Sequence, residues 1–533
     1  MFAHVLIVVT IAIAVSALAE RRNLHPALLV VMVGLAASYL PGIPQLELHP
    51  EFILSIVLPP MLFSAARDFS FAEFRRRMGS IVNLGVFLVF VTTAAAGAAV
   101  IGVLPELLPL TALILGVAIA PPDAVTAITI GRRAGLPTGL MTVLKGESLI
   151  NDAAALTIFA VLVATATGTH AFIDNLPLYF LYAASVGIAV GLVIGNLAQW
   201  ARRRLNSAAL ATALSVIVPF AAYLTAEEFH GSGVLAVVAA GFAVGHHGVE
   251  AGYEERMQET AFWRTADTLL ETFVFAYIGL QLRFVITDAN EAGFDALELT
   301  VATLLIFAAT VATRFAWIFG SALIGRWRHA RAGRRRKRDG PAASPPLSWK
   351  ENTVLAWTGM RGVVTLAAAA GTPLVTGDGS PFPGREAIVS LAFLVTIATL
   401  LIQGLSLPWL IGRLRLDDPG HERFVAEQRE RAERLTRQAT EEALDAYARA
   451  HPGPQSGRLV GIMRQRLRQE SRMEKPRGTD AQEALLLGKV LLEARRSRLV
   501  AARDNLELDD TIVRDMLEKL DLEQAFMDSV TES

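Results

Sequence analysis

The sequence predicts an all-α, polytopic membrane protein of about thirteen transmembrane helices, followed by a soluble helical tail. Three observations predict it. Of 533 residues, 53% are hydrophobic and 19% charged, and the mean hydropathy is +0.43. The apolar residues fall into long uninterrupted runs, which only a bilayer makes sense of. Clusters of Lys and Arg recur in every second loop between those runs.

The runs cover Phe2–Ala19, Pro26–Leu40, Phe52–Ala66, Ser80–Leu104, Leu107–Ile130, Leu140–Thr167 and Pro177–Trp200. They continue with Ala208–Ala226, Ser232–His246, Ala266–Ile286, Leu297–Ile324, Asn352–Pro373 and Ala387–Ile411. Loops after odd-numbered runs carry Arg21–Arg22, Arg67 with Arg75–Arg77, Arg132–Arg133, Arg202–Arg204, Arg256 with Arg264, and the basic segment Arg326–Lys350. That amounts to about twenty-two basic residues, against about two (Arg283 and Arg385) on the other side. The bias places the odd loops and the C-terminus in the cytoplasm and the N-terminus outside. Ala17-Leu18-Ala19 resembles a signal-peptidase site, but Arg21 and Arg22 follow the first apolar run and no basic residue precedes it. That order favours a retained helix.

From Leu416 onward Arg and Glu become dense, and apolar residues return at helical spacing, as at Leu485–Leu487, Val490 and Leu491. The chain thus divides into a membrane domain, residues 1–415, and a cytosolic helical tail, residues 416–533, with Pro452 and Pro454 as breaks. Arg331–Pro346 reads as a flexible basic loop at the membrane surface. The net charge of −1 says nothing about partners, because the charges are segregated. There are no cysteines, which excludes disulfides, thiolate metal sites and cysteine nucleophiles. No His-rich metal motif or nucleophile elbow occurs, and His246-His247 lies at a span end, so neither an enzyme nor a cofactor is expected.

Charges inside spans are costly, so each is a functional candidate. In the fifth run, Ala120-Pro121-Pro122-Asp123-Ala124 sets two prolines and an acid among apolar residues. Prolines remove backbone donors, so the helix is expected to break and free carbonyls for an ion. In the sixth, Glu147 shares a helical face with Asn151, and Ser148 shares a neighbouring one with Asp152. Arg314 lies mid-way along the eleventh run, and Arg361 sits between Gly359-Met360 and Gly362 in the twelfth. Asp267 and Glu271, at the end of the tenth, read as interfacial.

Structural explanations stand beside the functional ones. Asp123 could cap a half-helix, Glu147 and Arg361 could be a pair that only neutralises buried charge, and Arg314 reads as dipole-compensating. Asp152 differs, because Asn151 cannot neutralise it and no basic residue lies four positions away. An unpaired acid in a dry site must hold a proton or bind a cation. The fifth and twelfth runs, both interrupted, cross in opposite directions. Inverted repeats with two broken helices meeting at the midplane would follow.

Gly146-Glu147-Ser148-Leu149-Ile150-Asn151-Asp152, preceded by Ala120–Val125 and followed by Gly359-Met360-Arg361-Gly362, resembles bacterial NhaP-like monovalent cation/proton antiporters. Leu58-Pro59-Pro60-Met61-Leu62-Phe63 resembles another motif of that family. The resemblance implies that Asp152 binds cation or proton, with Asn151 where electrogenic relatives have a second acid. Asp123, Ser148 and Glu147 would complete or order the site, with Na+ at Asp152 and Asp123, and Arg361 would pair with Glu147. Many members carry Thr-Asp-Pro where this chain has Pro122-Asp123-Ala124, so one threonine ligand is missing. A homodimer is also implied.

The expected function is electroneutral exchange of Na+ for H+ across the plasma membrane, serving pH and sodium homeostasis. A K+/H+ or Li+/H+ exchanger of the same architecture stays open, and a cation channel is disfavoured because no continuous polar stripe appears. The partners expected are monovalent cations, protons, lipid and a second copy of the chain, with no nucleic acid.

Overall fold

The computed structural model describes residues 2–22, 24–40, 52–168, 173, 175–248, 251–332, 347–416, 419–468, 479–505 and 507–532. Among them the secondary structure is helical, and an isolated bridge between Val375 and Pro381 is the one extended pairing. The chain forms two compact units, Met1–His246 with Ala261–Asp417, and His247–Thr260 with Asp418–Ser533. The second thus takes in a segment, 247–260, that the sequence reading assigned to the membrane domain.

The first unit opens with α1 (Phe2–Arg21), α2 (Pro26–Ser38), α3 (Leu58–Arg67), α4 (Phe71–Val82) and α5 (Leu88–Ile101). The interrupted crossing follows as α6 (Pro109–Ile119) and α7 (Ala124–Arg133), and then comes α8 (Thr138–Thr167), which carries the acidic motif. Next are α9 (Leu176–Arg202), α10 (Ala208–Glu228), α11 (Gly233–His247), α12 (Tyr253–Glu291) and α13 (Ala296–Ala332). The second interrupted crossing is α14 (Trp349–Trp357) with α15 (Val363–Ala370), and α16 (Arg385–Leu414) closes the unit.

Seven of the described helices are long and apolar enough to cross a bilayer, and four more are apolar but shorter. Length alone therefore does not establish thirteen crossings. The short helices have sequence causes. Pro121 and Pro122 withhold backbone donors, so α6 stops at Ile119, although Ala120 itself keeps helical dihedrals (φ −60°, ψ −43°). Its 11 residues rise about 16 Å, half of a hydrocarbon core. On the other strand of the crossing, α14 begins in a capping box. Ser348 Oγ accepts from the Glu351 amide at 3.2 Å, and a Glu351 carboxylate oxygen accepts from the Ser348 amide at 2.6 Å. It ends where Thr358-Gly359 begins, glycine being a poor helix former.

Several expectations shift. The third run is not a uniform helix: a π-helical turn, Ile53–Val57, precedes α3. A second, Asn83–Phe87, joins α4 to α5. There the absent side chain of Gly85 matters, since a Cβ would stand 2.9 Å from the Ile150 side chain of α8. Arg75–Arg77 lie within α4 rather than in a loop, and α12 runs for 39 residues. A search for apolar runs cannot see these polar turns, although Glu and Arg favour helix. The basic segment Arg331–Pro346 falls, from 333 on, outside the described residues.

The interior packs Phe63, Ile119, Leu140, Ile278, Ile306 and Met360 out of solvent. Meanwhile Leu181 and Val193 of α9, Ile217 of α10 and Leu323 of α13 stand exposed, Leu323 at 70%. So much large apolar surface on several helices suits lipid, not water.

The second unit gathers α17 (Pro419–Ala450), α18 (Pro454–Arg468), α19 (Thr479–Asp504) and α20 (Asp510–Glu532). The helices bury Ala432, Leu492, Leu499, Val513, Leu517 and Leu520 in one cluster, and Leu444, Val460, Leu487 and Leu491 in another. Asp521 is buried between Arg496, at 3.0 Å, and Arg256, whose Nε donates at 2.8 Å. Leu499, fully buried, should cost about 2–5 kcal/mol when cut to alanine, since it leaves a cavity. Urea unfolding followed by helix signal should show the tail's transition moved to lower urea in Leu499→Ala. An unmoved transition would contradict this packing.

Candidate functional site

The two interruptions meet. The backbone N–H of Asp123 donates to the carbonyl of Met360 at 2.6 Å. Gly362 lies against the same acid, and a Cβ there would stand 2.4 Å from Asp123 Oδ2 and 2.7 Å from its Cγ. Glycine at 362 is thus what lets the two unwound chains close on one another. Thr126, in the first turn of α7, donates its hydroxyl to Asp123 Oδ2 at 3.1 Å.

The middle of α8 passes this crossing. Asn151 is fully buried, and its Nδ2 donates to the Pro122 carbonyl at 3.2 Å, while its Oδ1 has no partner. Asp152 is 6% exposed and lies within electrostatic range of Asp123. Among the described residues it makes no ion pair. Ser148 sits one turn before it, partly buried. The crossing therefore presents a lone buried carboxylate, a second carboxylate, an amide oxygen and a nearby hydroxyl. These are hard oxygen donors of the kind small monovalent and divalent cations take. Residues predicted to cooperate from three separate stretches of sequence do converge here.

The predicted partner of Glu147 is corrected. Its carboxylate is held by Arg314 of α13 through two parallel hydrogen bonds, Nη1 to Oε1 and Nη2 to Oε2, the latter at 2.9 Å. Arg314 Nε also donates to the Leu355 carbonyl, at 3.1 Å, in α14. Both side chains are almost wholly buried, and the forked guanidinium matches a carboxylate in a way that makes such pairs strong. Among the described residues Arg361 makes no hydrogen bond or ion pair with a carboxylate. Its guanidinium Nη1 donates to the Gly359 carbonyl in its own stretch, its Nε has no partner, and its backbone N–H donates to Thr399 Oγ1 of α16 at 2.9 Å. Spacing could not reveal this, because Arg314 meets Glu147 only through the packing of α13.

Asp267 and Glu271, read as interfacial, lie within the long helix α12, each partly buried. Asp267 accepts from the Ser64 hydroxyl of α3 at 2.6 Å, and Glu271 lies within electrostatic range of Asp123. Thr126, Thr399 and Ser64 were not singled out from sequence, since hydroxyl residues are common in membrane helices and carry no spacing signal.

The pairing has a measurable consequence. Glu147→Gln and Arg314→Gln should each destabilise the protein by about 3–5 kcal/mol, because each strands a buried charge. Arg361→Gln should cost clearly less, since no carboxylate is abandoned. Thermal melting of the three variants checks the order. Equal losses at all three positions, or none at the first two, would contradict the assignment.

Comparison with known proteins agrees with this architecture. Residues 6–413 match the family model described as sodium/hydrogen exchanger, transmembrane. An uncharacterised Na+/H+ exchanger of Mycobacterium tuberculosis is 29% identical over 98% of this chain and 96% of its own length. The Na+/H+ antiporter ApNhaP of Aphanothece halophytica is 29% identical over 86% of this chain and 82% of its own. The structure of the sodium proton antiporter MjNhaP1 from Methanocaldococcus jannaschii superposes with a TM-score of 0.61 at 18% identity. That alignment covers 78% of this chain and 99% of the other. With a family model spanning most of its length and a shared fold, this chain belongs to the sodium/hydrogen exchanger family.

Proposed function

We propose that the chain exchanges Na+ for H+ one for one, with Asp152 as the group that carries either ion. The observation that carries this reading is the contrast between two buried acids five residues apart on α8. Glu147 is paired with Arg314, whereas Asp152 makes no ion pair among the described residues. A charge left bare in a low-dielectric interior is strongly disfavoured, so Asp152 is occupied by a proton or a cation whenever it is out of contact with water. Asp123, Asn151 and Ser148 stand beside it as further oxygen ligands. Release of one ion to one side and capture of the other on the opposite side then couples the two gradients. The half-helices ending at the crossing suit an alternating-access movement about a fixed site.

The positive-inside bias supports cytoplasmic odd loops, an external N-terminus and residence in the plasma membrane. Pairing as a homodimer, regulation of exchange by the tail, and a role in pH and sodium homeostasis belong to the same proposal. No catalytic step and no resident cofactor are part of it. A broader ion range is the second reading. A Bacillus pumilus relative, 30% identical over 72% of this chain and 57% of its own length, is named a sodium, potassium, lithium and rubidium/H+ antiporter. Hydrated oxygen sites of this kind discriminate such ions only by size and geometry.

Purified protein in liposomes holding a pH dye tests both readings. Imposed Na+ or Li+ gradients should drive proton flux in the wild type. Asp152→Asn should lower that flux at least about 100-fold while inserting and melting normally, because it removes the exchanging charge. Flux driven by K+ as well as Na+ would favour the broader range, and flux driven by K+ but not Na+ a K+-selective exchanger. Sodium-driven flux retained in Asp152→Asn would overturn the assignment of the site.

A further inference from the structure

Helix α16 touches the end of α14 and the unwound stretch that follows it at three levels. Thr399 Oγ1 accepts from the Arg361 amide at 2.9 Å, and Ser406 Oγ accepts from the Trp357 indole N–H at 2.9 Å. Between them Gly404 lies where a Cβ would stand 2.9 Å from the Leu28 side chain and 3.4 Å from Met360 Sδ. Gln403 falls four residues after Thr399 and three before Ser406, so it shares their helical face. Its amide is therefore level with Thr358, Gly359 and Met360. It is 1% exposed, and neither Oε1 nor Nε2 has a hydrogen-bond partner.

The groups opposite are engaged with one another. The Thr358 hydroxyl donates to Leu355, the Gly359 carbonyl accepts from Arg361, and the Met360 carbonyl accepts from Asp123. In the same stretch Arg361 Nε is also without a partner. A buried amide left wholly unpaired is a costly group, and such groups are generally met by protein or by ordered water. The missing partner must both donate, to Oε1, and accept, from Nε2. A cation would serve only the oxygen, and an anion only the nitrogen. Water serves both.

We propose that Gln403 binds ordered water between α16 and the stretch Thr358–Gly362, and that through this water it positions the cation site. The link runs through Met360, whose carbonyl holds the backbone of Asp123. If the unwound stretch drifts from α16, Asp123 drifts from Asn151 and Asp152. Gln403 is thus a positioning residue. Its effect on the cation rests on the functional reading above, whereas the water itself does not.

A water-resolving structure of the full chain in lipid nanodiscs tests the ligand. Density within hydrogen-bond distance of both amide atoms, equally strong when Na+ is replaced by Tl+, is expected. Direct protein partners for both amide atoms with no water, or density that strengthens with Tl+, would overturn the proposal. Kinetics test the role. Gln403→Leu should raise the Na+ KM about tenfold, the worth of one hydrogen bond, with the maximal rate within about twofold. Gln403→Asn, which keeps donor and acceptor, should recover most of that loss. A Leu variant with wild-type KM and a raised melting temperature would mean that the amide is a mere orphan, and the role falls. Should the wild type show no cation-driven flux at all, the functional reading fails while the water density still decides this one.

Discussion

One backbone hydrogen bond, from Asp123 to Met360, joins two stretches of chain that are not helical although they lie within the membrane unit. In a bilayer, irregular backbone is tolerated only where its polar groups find partners inside the protein. Here each unwound stretch exchanges partners with the other or with a flanking helix: the Met360 carbonyl accepts from Asp123, the Pro122 carbonyl from Asn151, and Thr399 of α16 from the Arg361 amide. Pro121-Pro122 and Gly359…Gly362 make the interruptions, and Gly362 leaves room for Asp123 between them. The oxygen-rich site is a consequence of where those two breaks cross.

The second dependency is electrostatic. Four ionisable side chains, Glu147, Asp152, Arg314 and Arg361, are almost fully buried around the crossing. Arg314 answers Glu147 with a forked pair and at the same time ties α13 to the end of α14. That arrangement gives Glu147 a fixed partner, and under the proposed exchange the task falls to Asp152. A fixed pair beside a free acid separates scaffolding from transport more cleanly than two free acids would, because like charges in one site titrate as a unit.

Much of this was legible in the sequence, and the parts that were not share a cause. The all-helical membrane fold follows from apolar runs, and both breaks follow from prolines and glycines set in them. Asp152 stood out as a candidate because no basic residue lies four positions from it and Asn151 cannot neutralise it. What sequence spacing misses is contact between helices far apart in the chain. Glu147 and Arg314 are separated by 167 positions and Ser64 and Asp267 by 203, so no periodicity links them. The extension of α12 to 39 residues also escaped the search for apolar runs, because its first turns are polar. Gln403 carried no signal at all, since a lone glutamine is remarkable only once its neighbours are known to leave it unpartnered.

The central claim is that one carboxylate, Asp152, carries the exchange, with Glu147 engaged by Arg314. The most direct test is the Na+ gradient at which proton flux reverses, measured in liposomes clamped with potassium and valinomycin. A cycle moving one net charge would feel about 2.3 kcal/mol for each 100 mV. The account predicts a reversal gradient that does not move with the imposed voltage. A reversal gradient that shifts with voltage would contradict it and show that a second acid titrates in the cycle.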